Sequence, residues 1–175
     1  DKAGVAIVSM SLAGPPDELL KSAITGLSKK GMIFVAAAGN EGPAAPPAYP
    51  AAYETVVAVT AVGKDLKSYR HANRGHHIDI AAPGVDVWTA LPGGKSGYHS
   101  GTSFAVPYVT AVLAATYRSL PARSKISFLE SATVMDLGAP GHDPIYGRGL
   151  ILAPANCGSG TPTPTVTSAI PAPPS

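Results

Sequence analysis

In the stretch "YHSGTSFAVPYVTAVLAATYRSL" a serine, Ser103, stands where a loop containing Gly97 and Gly101 gives way to a long apolar run with helical character. A serine hydroxyl is a weak nucleophile until a base takes its proton. A helix start supplies something else, because its free N–H groups and partial positive charge face any anion that forms beside it. A Thr-Ser pair at such a start also has a plainer use as a cap, and taken alone Ser103 reads as one. Its company turns the reading towards a nucleophile: Pro107 is expected within the first helical turn, and the two glycines leave room for another chain to approach. Asn40, in "AAAGNEGP", is the second candidate. Between glycines it makes a good turn residue, and its amide can also donate to an oxyanion; the two roles are compatible.

These residues need elements to hold them. Val5 to Met10 is an apolar, β-branched run, the pattern of a strand buried on both faces. Pro15, Pro16 and Asp17 then give a turn and an N-cap, Leu20, Ile24 and Leu27 recur at helical spacing, and Lys29, Lys30 and Gly31 suit a helix end. "MIFVAAAG" follows as a second buried strand, so strand, helix and strand form a βαβ unit with parallel pairing and a right-handed crossover. "TVVAVTAV" and the shorter "IDIAAPG" extend the sheet. The fold class predicted is α/β, a three-layer, mostly parallel sheet with helices on both faces. Ligands of such sheets bind beyond the carboxyl ends of the strands, which directs attention to "SLAG" and "GNEG".

With 45% hydrophobic and 14% charged residues, the chain can bury a core and reads as one globular domain, residues 1–155, with an appendage. From Asn156 the composition turns to Gly, Pro, Thr and Ser, so residues 156–175 read as a disordered linker or tail of the kind that forms extended stalks outside the cytoplasm. A net charge of +2 with scattered basic residues gives no electrostatic reason to expect nucleic acid or an anionic membrane. The apolar runs are too short to span a bilayer, and no signal peptide opens the chain. The single cysteine, Cys157, excludes an internal disulfide framework and a cysteine-based zinc site.

Five motifs in order, "SMSLAGP", "VAAAGNEG", "YPAAYETVVAVTAVG", "IDIAAPGVDVWTALPGG" and "SGTSFAVPYVTA", resemble the C-terminal portion of a subtilisin-like serine protease domain, from about Val5 to about Leu152. The resemblance implies a serine endopeptidase with Ser103 as nucleophile and Asn40, helped by the Ser103 N–H, as oxyanion donor. It implies that Ser11, Leu12 and Ala13 form the edge that pairs with an extended polypeptide substrate, and that Ala37, Ala38 and Gly39 line the pocket for the side chain before the cleaved bond. A secreted or cell-envelope location is in keeping with it. Calcium is common among such enzymes and is an expectation from the resemblance alone; no residue here is assigned to a metal. Phe104, Tyr108, Thr110 and Ala111 depart from the usual helix residues as packing variations, Ala13 stands where many relatives have glycine, and Glu41 suggests a preference for basic side chains.

What takes the proton of Ser103 is not in this sequence. The family's aspartate and histidine lie in Asp-Ser/Thr-Gly and His-Gly-Thr motifs, and neither occurs here. Both are expected upstream, which makes the domain incomplete at its N-terminus, its sheet edge open and apolar, and the chain alone inactive or nearly so. Of His71, His76, His77, His99 and His142, only His99 is near Ser103 in sequence, and a base must reach the hydroxyl from a separate element and be oriented by a carboxylate. His71, His76 and His77, with Arg70 and Arg74, read as a solvated loop. Asp65, Asp79 and Asp86 have no basic partner by motif. Three other readings compete. An α/β-hydrolase requires a glycine where Ala105 stands, and a dinucleotide-binding domain lacks its glycine turn. A non-catalytic, peptide-binding relative keeps Ser103 and Asn40 but does without the base.

Overall fold

Residues 5–154 are described by the computed structural model. Strand β1 (Ile7–Met10) leads to helix α1 (Glu18–Ser28), and strands β2 (Ile33–Ala37), β3 (Val56–Val62) and β4 (Ile80–Pro83) follow. A hairpin of β5 (Val87–Leu91) and β6 (Lys95–His99) precedes helix α2 (Thr102–Thr116), after which come α3 (Lys125–Ser131), β7 (Val134–Met135) and β8 (Leu150–Ile151). The main sheet has the order β1-β2-β3-β4-β8-β7; all its pairings are parallel except the last, and β5–β6 forms a separate antiparallel pair.

The βαβ unit forms as its residues dictate. Asp17 is the N-cap of α1, its carboxylate accepting the Leu20 N–H at 2.7 Å, and Ile24 is the helix's buried anchor. Strands β2 and β3 are buried on both faces, as continuous β-branched and alanine runs require. Their alternate residues feed two cores. Val35, Ala37, Val57, Val59 and Ala61 pack with Val106, Val109 and Leu113 of α2 and Phe128 of α3. Phe34, Ala36, Val56 and Ala58 pack with Ile24 of α1 on the opposite face. Helices therefore cover both faces, as predicted.

Three expectations are corrected. Strand β1 is not buried on both faces: it is the sheet's edge among the described residues, Ser9 is exposed, and Val5 before it is 47% exposed. The segment before Ser103 is not a loop throughout, because Val87–Leu91 and Lys95–His99 pair around the Pro92–Gly94 turn, with Gly97 inside a strand. Pro107 is the sixth residue of α2, beyond the first turn. The tail proposed for 156–175 lies outside the described residues.

Candidate active site

The site grows from the carboxyl ends of β1 and β2. Directly after β2, Gly39 turns at φ +105°, a backbone state that disfavours a side chain; a Cβ there would come 2.8 Å from both Asn73 Nδ2 and Glu41 Oε2. Asn73, buried to 1%, braces this turn: its Oδ1 accepts the Glu41 N–H at 2.9 Å, its own N–H donates to Gly39 O at 3.1 Å, and its amide donates to Pro46 O at 3.1 Å. Glu41 folds back so that its carboxylate accepts the Asn40 N–H at 3.1 Å.

The turn places Asn40 against the start of α2. Thr102 N–H donates to Asn40 Oδ1 at 2.9 Å, and Thr102 Oγ1 lies 3.0 Å from the same oxygen while accepting the Gly39 N–H at 3.3 Å. A backbone N–H can only donate, so the Asn40 atom facing it is the oxygen. The amide Nδ2 is thereby turned the other way, beside Gly101, where a Cβ would come within 3.5 Å of it.

Ser103 is the second residue of α2, where helical geometry leaves the N–H without an intrahelical acceptor. The cap position falls to Gly101, which makes no side-chain cap bond, so the reading of Ser103 as a cap is overturned. Pro107 has no N–H to offer the carbonyl four residues before it, and that carbonyl belongs to Ser103. It is satisfied instead by the Ser11 hydroxyl at 2.9 Å, which ties the segment after β1 to the backbone of Ser103. In return Ser103 Oγ donates to Ser11 O, at a long 3.4 Å. The loop before the helix is fixed by Gly101 N–H donating to Gly84 O at 2.8 Å; a Cβ on Gly84 would sit 2.7 Å from Ala61 Cβ and 2.9 Å from Gly101 O.

Ser103, Asn40 and Ser11 are thus brought together, with Leu12 and Ala13 continuing exposed beyond Ser11. Ala37 and Ala38 are buried to 2% and 0%, Ala37 in the core beneath α2, so what they offer a ligand is backbone. Sequence reasoning missed Thr102 and Asn73 as supports. Thr102 was legible as the residue before the serine, whereas nothing in "RHANRGHH" marks Asn73, because its partners come from a different loop.

The histidines are elsewhere engaged. His99 is exposed and lies against Phe104, ring centroids 5.9 Å apart, and His71 meets Tyr69 edge-on at 5.5 Å. His142 Nε2 contacts Ile78 O at 2.7 Å. His77 is not a solvated loop residue: its Nε2 is buried without a partner, and burial pushes its pKa below the ordinary value, with Asp79 opposing and Lys125 assisting. Asp79, for which no partner was expected, pairs with Lys125 at 2.8 Å and accepts the Ala58 N–H at 2.7 Å. Burial pushes its pKa up, while Lys125, the Ala58 N–H and His142 pull it back. Among the described residues no group of three or more His, Cys, Asp or Glu could hold a metal ion, and no helix is long and apolar enough to cross a membrane.

A family model described as the subtilase family matches residues 2–149. The chain is 34% identical over 148 residues to minor extracellular protease Epr of Bacillus subtilis (strain 168), covering 83% of this chain and 23% of that protein. It is 43% identical over 117 residues to the major intracellular serine protease of the same organism, covering 63% of this chain and 36% of the relative. A solved structure titled S41 Psychrophilic Protease superposes with a TM-score of 0.72 at 28% identity, over 82% of this chain and 56% of that one. The chain spans less than two thirds of the length of each of these relatives.

Proposed function

Because the chain belongs to the subtilase family, we propose that it is the nucleophile-bearing portion of a serine endopeptidase whose histidine and aspartate are supplied by a segment upstream of Asp1. The observation that carries this reading is the Asn40–Thr102–Ser103 arrangement. Asn40 Oδ1 is occupied by two donors from Thr102, which leaves the amide N–H groups and the Ser103 N–H to meet a developing oxyanion.

The upstream imidazole takes the Ser103 proton as Oγ bonds to the substrate's carbonyl carbon. The tetrahedral oxyanion is held by Asn40 Nδ2 and the Ser103 N–H, and the same imidazole passes the proton to the amine as the C–N bond breaks. Water then hydrolyses the ester on Ser103. The polypeptide substrate lies along Ser11–Ala13, and its side chain before the cleaved bond projects towards the Ala37–Gly39 backbone. Secretion or attachment to the cell envelope suits such an enzyme. In the chain by itself Ser103 Oγ has a backbone carbonyl as partner, not a base, so it is inactive or nearly so.

The open flank supports a missing segment. Helix α2 is apolar nearly all round, a pattern of full burial, and it packs on β1, the edge strand among the described residues, yet Tyr108 is 46% exposed and Ala111, Ala114 and Ala115 are exposed. The test is labelling with a serine-directed fluorophosphonate of this chain and of the protein with its natural upstream sequence, with Ser103→Ala as control. Rapid labelling of the longer protein only is the expected result. A folded longer protein that does not label would mean a peptide-binding relative without catalysis.

A further inference from the structure

Asn73 belongs to no strand or helix, yet it is buried to 1% and its amide reaches two separate segments. On one side it lies against the turn after β2: Oδ1 accepts the Glu41 N–H at 2.9 Å, and a Cβ on Gly39 would come 2.8 Å from Nδ2. On the other side Nδ2 donates to Pro46 O at 3.1 Å. A backbone N–H on one end and a backbone carbonyl on the other fix which way the amide points.

The segment reached through Pro46 is the loop of residues 42–49, "GPAAPPAY". Its ends are pinned, Gly42 N–H to His71 O at 2.9 Å and Tyr49 to Gly14 by a reciprocal pair of bonds of 2.8 and 2.9 Å. Its middle has little to hold it. Pro43, Pro46 and Pro47 have no N–H, and the Ala45 N–H stays within the loop on Gly42 O. Among the described residues, the bond from Asn73 Nδ2 to Pro46 O is the one hydrogen bond that joins residues 43–47 to the rest of the chain. The loop also stands in a telling place. Met10 pairs with Ala36, so Ser11–Ala13 and Ala37–Gly39 continue neighbouring strands, and Gly14 is at most about 10 Å beyond Ser11 along the chain. From the Asn40 turn to the bridge at Gly14, the loop thus spans the far end of the space between those two segments.

We propose that Asn73 is a positioning residue for substrate selection: by holding Pro46 and the Gly39 turn at a fixed separation, it sets the width of the pocket for the side chain before the cleaved bond. The proposal rests on the endopeptidase reading above and adds to it a residue that touches no substrate. Asn73→Asp keeps the shape and the acceptor for the Glu41 N–H, but an ionised carboxylate has nothing to donate to Pro46 O, so it releases the loop alone. Asn73→Ala releases the loop and the Asn40 turn together.

In the protein with its upstream segment, kcat and KM are measured at pH 8 on peptides that differ only in Ala, Leu or Phe before the cleaved bond. Asn73→Asp should narrow the spread of kcat/KM across the three at least fivefold, with kcat on the best substrate changed less than twofold. Asn73→Ala should lower kcat on all three as well. A lower pH, which gives the carboxyl an O–H for Pro46 O, should restore the spread in Asn73→Asp; the spread is a ratio, so any general loss of activity cancels. A spread unchanged within twofold in folded Asn73→Asp overturns the proposal. Deuterium exchange in the 175-residue chain tests the loop without catalysis: the Ala45 and Tyr49 N–H groups should exchange at least tenfold faster in Asn73→Ala, with β3 unaffected. Equal rates overturn the proposal, and a chain that folds with neither change makes Asn73 a residue of the fold and overturns it too. An unaltered longer protein that cleaves none of the peptides counts against the endopeptidase reading, while the exchange rates still decide what Asn73 holds.

Discussion

Replacing Thr102 by valine isolates what its hydroxyl does. Valine matches threonine in shape, so no cavity forms at this fully buried position. Two bonds are lost: the one accepted from Gly39 N–H at 3.3 Å and the one reaching Asn40 Oδ1 at 3.0 Å. A buried N–H left unpaired costs about 1–3 kcal/mol, which sets the expected drop in stability. Asn40 keeps the Thr102 N–H bond at 2.9 Å, so its amide is held by one restraint instead of two. Full loss of an oxyanion asparagine costs about 2.7–4 kcal/mol of transition-state stabilisation, a range taken over from subtilisin. Losing one of two restraints should cost a part of that, about 1.4 kcal/mol or tenfold in kcat with KM little changed. The assay is a urea melt together with kcat and KM on the protein that includes its upstream segment, with Asn40→Ala as the full-loss benchmark and Thr102→Ser as the rescue. A lowered urea midpoint with unchanged kcat would refute the orienting role and leave Thr102 as a structural residue.

Gly84→Ala should destabilise the chain by about 1–3 kcal/mol through overpacking and slow labelling of Ser103 at least tenfold in the longer protein. Adding Ala61→Gly removes the 2.7 Å clash but not the 2.9 Å one with Gly101 O, so stability should recover further than labelling does; equal recovery of both would contradict the argument. Lys125→Met leaves Asp79 charged with only 12% of its side chain exposed, a loss of about 3–5 kcal/mol at pH 7. The double variant Asp79→Asn, Lys125→Met should regain most of it, and a single-variant cost below about 1 kcal/mol would show the pair to be idle. His77 is held below its ordinary pKa of 6.5, so the folded state favours the neutral ring and stability present above pH 6.5 is lost as pH falls below it. Asp79, held above its ordinary 3.8, opposes this, losing stability as pH rises past that value. His77→Gln should therefore flatten the decline of the urea midpoint below pH 6.5, and an unaltered slope would assign the decline to other groups.

The parts of the fold that were legible are those where local pattern and burial agree. β2 and β3 are runs of β-branched and small residues, and Asp17 with Leu20, Ile24 and Leu27 states a cap and a helical face within a few positions. Strand β1 misled because its composition suits a central strand, while among the described residues it pairs with β2 alone. The hairpin was hidden behind its glycines, although Val87–Leu91 alternates and Pro92–Gly94 is a turn. At the site, Ser103 and Asn40 were visible by type and place. The bonds that support them were not, since those of Asn73, Thr102 and Ser11 span 32, 62 and 92 residues; Thr102 and Ser11 stood out by position, but their partners did not. The Asp79–Lys125 pair was missed for the same reason, joining the start of β4 to the first residue of α3.

Those spans also bear on the order of events in folding. Helix α2 touches β1, β2, β3 and β4 alike, crossing beneath the parallel sheet. It cannot settle until strands far apart in sequence have found their register, and closing such loops costs entropy before any contact repays it. Asn40 meets Thr102 only once α2 has docked, so a partly collapsed chain has the serine but no partner to shape its surroundings. The neighbourhood of Ser103 is consequently among the last features to form.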